Sequence, residues 1–226
     1  MIVHLLEYQI MPGHAAEVEG FVRQVLATSL PAGLLARCAG RRLSVDGPRY
    51  IVTSIWRDVD AFRVGTNSSG IPRDLAAKAP LIRRRLSSQF RSVASHGTDW
   101  SDARVVRLYR APIAQDSLGS WENSVQGEVR DIGGKPGISV VLAGVAIPAE
   151  RVAADVPILV LTAWRDWDSL LDATGGRLNR AILGTELVGP QPLSLADHYE
   201  LIGAEAEGEG PAQPDSSGYS GRTDTE

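Results

Sequence analysis

The segment YIVTSIWRDVDAF (Tyr50–Phe62) returns as ILVLTAWRDWDSL (Ile158–Leu170), 108 positions further on. Each copy is a β-rich run that ends in Trp-Arg-Asp and then turns into a short helix. Working outward, GLLARCAG (Gly33–Gly40) matches GISVVLAG (Gly137–Gly144) at an offset of 104. Pro12 and Pro112 stand at the end of the first strand of each half, and QFRSVA (Gln89–Ala94) pairs with HYELIG (His198–Gly203) at an offset of 109. Four matches in one order make the body of the chain two copies of a unit of about a hundred residues, a common domain size.

Each copy reads strand, helix, strand, strand, helix, strand. In the first, Val3–Ile10 is a strand, and Val18, Phe21, Val22, Val25 and Leu26 form one apolar helical face. Pro31 and Gly33 break the chain; Leu34–Val45 and Arg49–Trp56 are strands joined at Asp46-Gly47, a hairpin signal. A short helix starts at Asp58 and a polar break follows at Asn67–Gly70. A further helical piece, Arg73–Leu86, is expected with a kink at Pro80, before a last strand at Gln89–Ala94. In the second copy Val105–Tyr109 is a strand, and Leu118, Trp121, Val125 and Val129 mark a helix. Strands at Ile138–Ile147 and Ile158–Trp164, a helix at Trp167–Leu183 and a strand at His198–Ile202 complete it. This is the ferredoxin-like βαββαβ order. The third strand has apolar residues on both faces: Ile51, Thr53 and Ile55 on one, Tyr50, Val52 and Trp56 on the other. One face covers helices, so the other must meet a second sheet. The expectation is an α+β fold, two tandem ferredoxin-like repeats packing sheet to sheet as an intramolecular α/β barrel. The repeats span 1–97 and 103–203, with a linker at 98–102 and a tail at 204–226.

Composition narrows the function classes. With 43% hydrophobic residues in 226, the chain can build a core. No apolar run approaches 18 residues, and Glu7 interrupts the N-terminus where a signal peptide needs hydrocarbon. A cytoplasmic protein without membrane association is expected. Cys38 is the only cysteine, which excludes an intrachain disulfide and a cysteine-based zinc site. The net charge of −4 divides unevenly: from Gly203 onward six acids face one base, which leaves the rest at +1. Such a tail is expected to be disordered. A nearly neutral body does not suit nucleic acid. Arg83, Arg84 and Arg85, with Arg73, Lys78 and Arg91 nearby, read as a basic helix face. It is either solvated or set against a carboxylate, a phosphate, an acidic partner or the chain's own tail. Gly133-Gly134 and Gly175-Gly176 lack the context of a dinucleotide fingerprint and read as turns.

The opening IMPGHAAEVEGFVRQVL and the IVTSIWRDVDAF and LVLTAWRDWDSL segments resemble the dimeric α/β barrel superfamily, closest to antibiotic-biosynthesis-monooxygenase-like domains in tandem. The resemblance covers residues 1–96 and 103–203 and marks fold more than chemistry. It implies a range that includes cofactor-free quinone-forming oxygenases, polyketide cyclases, haem-binding and haem-degrading proteins, and members without known activity. The haem-degrading branch resembles itself in an Asn on the first strand, a Trp nine residues past the strand-end Trp, and a His beyond. Here those places hold Leu6 and Glu7, then Gly65 or Ala173, with no His before His96 or His198. That triad is absent from both copies.

Candidate site residues follow from position. Trp56 and Trp164 sit at equivalent strand ends. They plug a core, or they wall a pocket that stacks a flat aromatic substrate. Trp121 and Trp167, present only in the second copy, enlarge or fill its pocket. His4 shares strand parity with Leu6 and Tyr8; a histidine with a near-neutral pKa could act as base on a phenol. His198 and Tyr199 offer the same on the last strand. Each lone histidine has a satisfied-core reading as well. His14 reads as solvated, His96 as adjoining the linker, and no histidine has a partner at metal-ligand spacing. Two functions remain. One is a cofactor-free monooxygenase or cyclase for an aromatic polyketide-type molecule. In it His4 and His198 act as catalytic candidates, and Trp56, Trp164, Tyr8 and Tyr199 bind substrate, with no cofactor or metal. The other is a non-catalytic ligand-binding or stress-associated barrel. A monomer acting as a pseudo-dimer, or a homodimer, fits either. An open cavity of about 300 Å³ or more beside either Trp, reached by a histidine or tyrosine, would favour catalysis or ligand binding, and two side-chain-filled cores would exclude the enzyme.

Overall fold

The computed structural model describes residues 1–42, 47–68, 79–97, 99–147, 155–178 and 196–207. The first repeat holds β1 (Ile2–Ile10), α1 (Ala15–Leu26), β2 (Leu34–Arg42), β3 (Arg49–Trp56), α2 (Val59–Ser68) and β4 (Ile82–His96). The second holds β5 (Val105–Ala114), α3 (Leu118–Gly133), β6 (Ile138–Ala146), β7 (Asp155–Trp164), α4 (Trp167–Thr174) and β8 (Asp197–Ala206). All eight strands close into one barrel in the order β1-β3-β2-β8-β5-β7-β6-β4. Closure comes from the two long last strands. β4 pairs with β1 along Ile82–Arg91 and with β6 along Phe90–His96. β8 pairs with β5 along Asp197–Glu200 and with β2 along Glu200–Ala206. Each repeat therefore lends its last strand to the other, which removes open edges over the shared span.

The period-2 reading of β3 holds. Ile51 and Ile55 pack inside the barrel with Val3, Leu5, Cys38, Phe90, Leu108 and Leu161. Tyr50 and Val52 face outward, with Leu6, Tyr8 and Ala39, against Val18 and Val22 of α1. Trp121, Val125 and Val129 of α3 cover the second repeat in the same way. The shared Trp-Arg-Asp also has a physical basis. The Trp ring anchors the strand end, and the Asp caps the next helix: Asp58 accepts a hydrogen bond from Ala61 N at 2.8 Å, and Asp166 from Ser169 N at 2.7 Å. Where β5 and β8 come close, a charge network joins the repeats. Arg110 bonds Glu7 and, at 2.9 Å, Asp197; Asp197 also pairs with Arg42.

Several expectations need correction. Ile82–Leu86 is strand, not helix, because pairing with β1 overrides the helix propensity of the arginine run. Arg83–Arg85 thus lie on an exposed strand, and Arg73 and Lys78 fall outside the described residues. β5 continues through Pro112 to Ala114. It can do so because its pairing with β8 stops at Leu108, and Pro112 sits beside Pro157 where no second ladder needs its missing N–H. α4 ends at Thr174, where Gly175 adopts φ 61° and caps the helix C-terminus; residues 179–195 lie outside the description. The stretch taken as linker buries Trp100 inside the barrel, at the end where β5 begins. β8 runs to Ala206, three residues into the stretch read as tail, and residues 208–226 lie outside the description.

Candidate functional site

The first repeat carries a partly open pocket of about 50 Å³ between its helices and the outer face of β1, β2 and β3. Its apolar wall includes Leu6, Phe21, Val22, Val25, Val52 and Trp56; its polar lining is His4, Arg37, Ser54 and Thr66. Local structure dictates this set. His4 pairs with Ser54, and Ser54 with Arg37, across adjacent strands, so all three point outward beneath α1. Trp56 is 2% exposed, its Nε1 donating to Ser54 Oγ at 3.0 Å. Phe62 of α2 meets both rings edge-on, with centroids 5.1 Å from His4 and 5.9 Å from Trp56. Gly65 lies flat against Trp56, where any Cβ would overlap the indole. A bulkier residue there could not keep this packing.

His4 Nε2 lies 2.9 Å from Ser87 Oγ. Burial, and secondarily the charge of Arg85, push its pKa down to about 4, so the imidazole is neutral at pH 7. The near-neutral value expected from sequence is not what the pocket produces. Arg37, 2% exposed, crosses the C-terminal end of α1. Its Nε and Nη2 donate to Glu205 of β8 at 3.0 and 2.6 Å, and Nη2 also reaches the carbonyls of Leu26 and Thr28. Its Nη1 is buried without a partner.

The other candidates fall elsewhere. Tyr8 and Tyr199 come together, away from Trp56, at a cavity of about 40 Å³ also lined by Glu7, Arg49, Tyr50 and Arg84. Burial pushes both phenols up to about 12, and the Tyr8 hydroxyl has no partner. His198 stands in the second repeat, paired with Arg107 across β5 and 6.2 Å from the Trp167 ring. Burial, then the charges of Arg107 and Arg42, lower its pKa to about 4. Trp164 is fully enclosed with Val105 and Leu170, its Nε1 donating to Thr162 Oγ1 at 2.8 Å. Trp121 is buried under α3 and fills rather than enlarges that side. His4 and Trp56 are thus brought together; His198 and Trp164 do not join them. Among the described residues no group of three or more His, Cys, Asp or Glu is placed to hold a metal ion, and no helix is long and apolar enough to cross a membrane.

Residue-level similarity to solved structures is low, but the architecture is shared. A provisionally assigned monooxygenase from Fusobacterium nucleatum subsp. nucleatum is 13% identical, with a TM-score of 0.70 over 91% of this chain and 94% of that one. A second, from Lactobacillus acidophilus NCFM, is 13% identical, with a TM-score of 0.68 over 92% and 96%. An anthrone oxidase-like protein is 9% identical, with a TM-score of 0.63 over 92% and 94%. The chain shares the tandem fold of these monooxygenase-like barrels. No protein-family model and no curated protein matches its sequence.

Sequence reading missed Arg37, Ser54, Phe62 and Ser87. Two of them carried a signal. The matched segments set Arg37 against Val141, a lone charge inside an apolar strand. They also set Ser54 against Thr162, a hydroxyl two residues before each Trp.

Proposed function

We propose that the first repeat is the working half of a cofactor-independent monooxygenase-like or cyclase-like enzyme for a flat, phenolic, polyketide-type aromatic. The observation that carries this is a histidine, His4, set with Trp56 in a largely apolar pocket whose other polar groups are Arg37, Ser54 and Thr66. Trp56 and Phe21 would stack or edge the ring, and the apolar wall would exclude water from the reacting carbon. His4, uncharged at pH 7, would take a proton from an activated CH₂. The resulting carbanion would give its electrons to molecular oxygen. Loss of water from the hydroperoxide would turn the CH₂ into a carbonyl, one oxygen atom entering product and the other leaving as water. In a cyclase the same carbanion attacks a carbonyl of its own chain and no oxygen is consumed. Because eight strands close within one chain, we propose that a monomer suffices, in the cytoplasm, with a small aromatic molecule as partner and no cofactor.

Oxygen uptake with anthrone and no added cofactor is the test. One oxygen consumed per quinone formed, above the spontaneous rate, supports the oxygenase. A fall of about 10²-fold or more in His4→Gln supports the base. No uptake above the spontaneous rate removes the oxygenase. The small volume, well below 300 Å³, and the lowered basicity of His4 favour a second reading, a non-catalytic ligand-binding or stress-associated barrel. Saturable binding of anthrone with no turnover of any kind would select it.

A further inference from the structure

We infer that the pocket of the first repeat takes an aromatic carboxylate, held by Arg37 and Ser54; this rests on that pocket being a ligand site, not on oxygenase chemistry. Arg37 is almost wholly buried, and three of its contacts (Glu205, Leu26 O and Thr28 O) use only Nε and Nη2. Nη1 keeps two N–H donors with no acceptor, in a residue that lines the pocket. A buried donor left unmade is costly, and native proteins rarely keep one without a use. Glu205 offsets the guanidinium charge but cannot satisfy this nitrogen. Ser54 is the cross-strand partner of Arg37 and lines the same pocket. Its oxygen accepts from Trp56 Nε1, so its own O–H is available to donate. Thr66 donates to Phe62 O, and His4 is neutral, so neither sets a second charge against an anion here. Two donors from paired strand positions lining one pocket match the two oxygens of a carboxylate, and the Trp56 and Phe21 rings border the place for the aromatic body. The second repeat has Val141 in place of Arg37, and its buried arginine, Arg107, stands instead on the first strand opposite Thr162.

The test is calorimetric titration of the full chain with 2-naphthoate and with 2-naphthamide, near-isosteres that differ in charge. The expected result is naphthoate binding at least about tenfold tighter, as one charge-assisted hydrogen bond provides. In the double variant Arg37→Met, Glu205→Gln, which leaves no carboxylate unpaired, that preference should vanish. If the double variant does not fold, Ser54→Ala should cut the preference several-fold while naphthamide affinity holds. Failure of naphthoate to bind, equal affinities, or a preference that survives these changes overturns the inference. Naphthoate is not oxidised, so a preserved preference beside absent oxygen uptake defeats only the oxygenase reading.

Discussion

The two repeats share a frame and differ in what fills it. The registers align them residue by residue: Ile2 faces Trp56 as Val105 faces Trp164, and His4 faces Ser54 as Arg107 faces Thr162. Around the same Trp-to-hydroxyl hydrogen bond, the first repeat places His4, Leu6, Arg37 and Gly65, and the second Arg107, Tyr109, Val141 and Ala173. The second set is larger on the first strand: Tyr109 stands where Leu6 does, with the Arg107 guanidinium 5.8 Å from its ring, and Arg107 is fully buried. Trp121 adds further bulk under α3. The place beside Trp164 is packed, and the place beside Trp56 is a polar-lined opening. Duplication thus lets one half stabilise the barrel while the other carries a site, which a symmetric pair of identical chains cannot do.

The difference can be broken or sharpened by mutation. Trp164→Ala should cost about 3–5 kcal/mol in urea unfolding, as for an enclosed ring, and Trp56→Ala distinctly less, because its site already borders open space. Equal costs would mean that both sites are equally filled. Ending the chain after Gly203, rather than after Glu207, removes the pairing of Ala204 and Ala206 with β2 and strips Arg37 of Glu205. A loss of about 2–3 kcal/mol is expected, less than for a fully buried ion pair because Glu205 is partly exposed. An unchanged unfolding midpoint would detach β8 from the first repeat. Gly65→Ala should cost about 1–3 kcal/mol by overpacking against Trp56, although its counterpart is naturally Ala173. A further effect concerns pH. His4 and His198 both have a pKa lowered in the fold, to about 4 from 6.5, so the unfolded chain binds more protons between those values. Thermal stability should hold above pH 6.5 and fall as pH drops from 6.5 toward 4. His4→Gln and His198→Gln should each flatten that slope, and a flat profile in the parent chain would show that the rings are solvated.

Much of this was written in the repeat. The Trp-Arg-Asp copies located the strand ends and helix starts, and the two-faced apolar pattern of Tyr50–Trp56 required a second sheet. The arginine run misled because local composition cannot register the ladder that β1 offers to Ile82–Leu86. Residues 204–206 read as tail because Ala-Glu-Ala carries no strand signal of its own; its place is set by β2, some 170 positions away. The same long-range pairing hid the Glu205 partner of Arg37. His4 and Trp56 could be named from parity and repeat position, but the low pKa of His4 and the unpartnered Nη1 of Arg37 arise only from packing.

The central claim is that the first repeat holds a ligand site beside Trp56, whereas the equivalent place around Trp164 is packed; the opening of about 310 Å³ in the second half lies elsewhere, between the end of β4 and α3. Determining the structure of crystals soaked with 2-naphthoate tests it most directly. The account predicts the naphthalene beside Trp56 with its carboxylate at Arg37 Nη1 and Ser54 Oγ, and unchanged side chains around Trp164. A ligand beside Trp164, or an empty pocket beside Trp56 at saturating naphthoate, would contradict it.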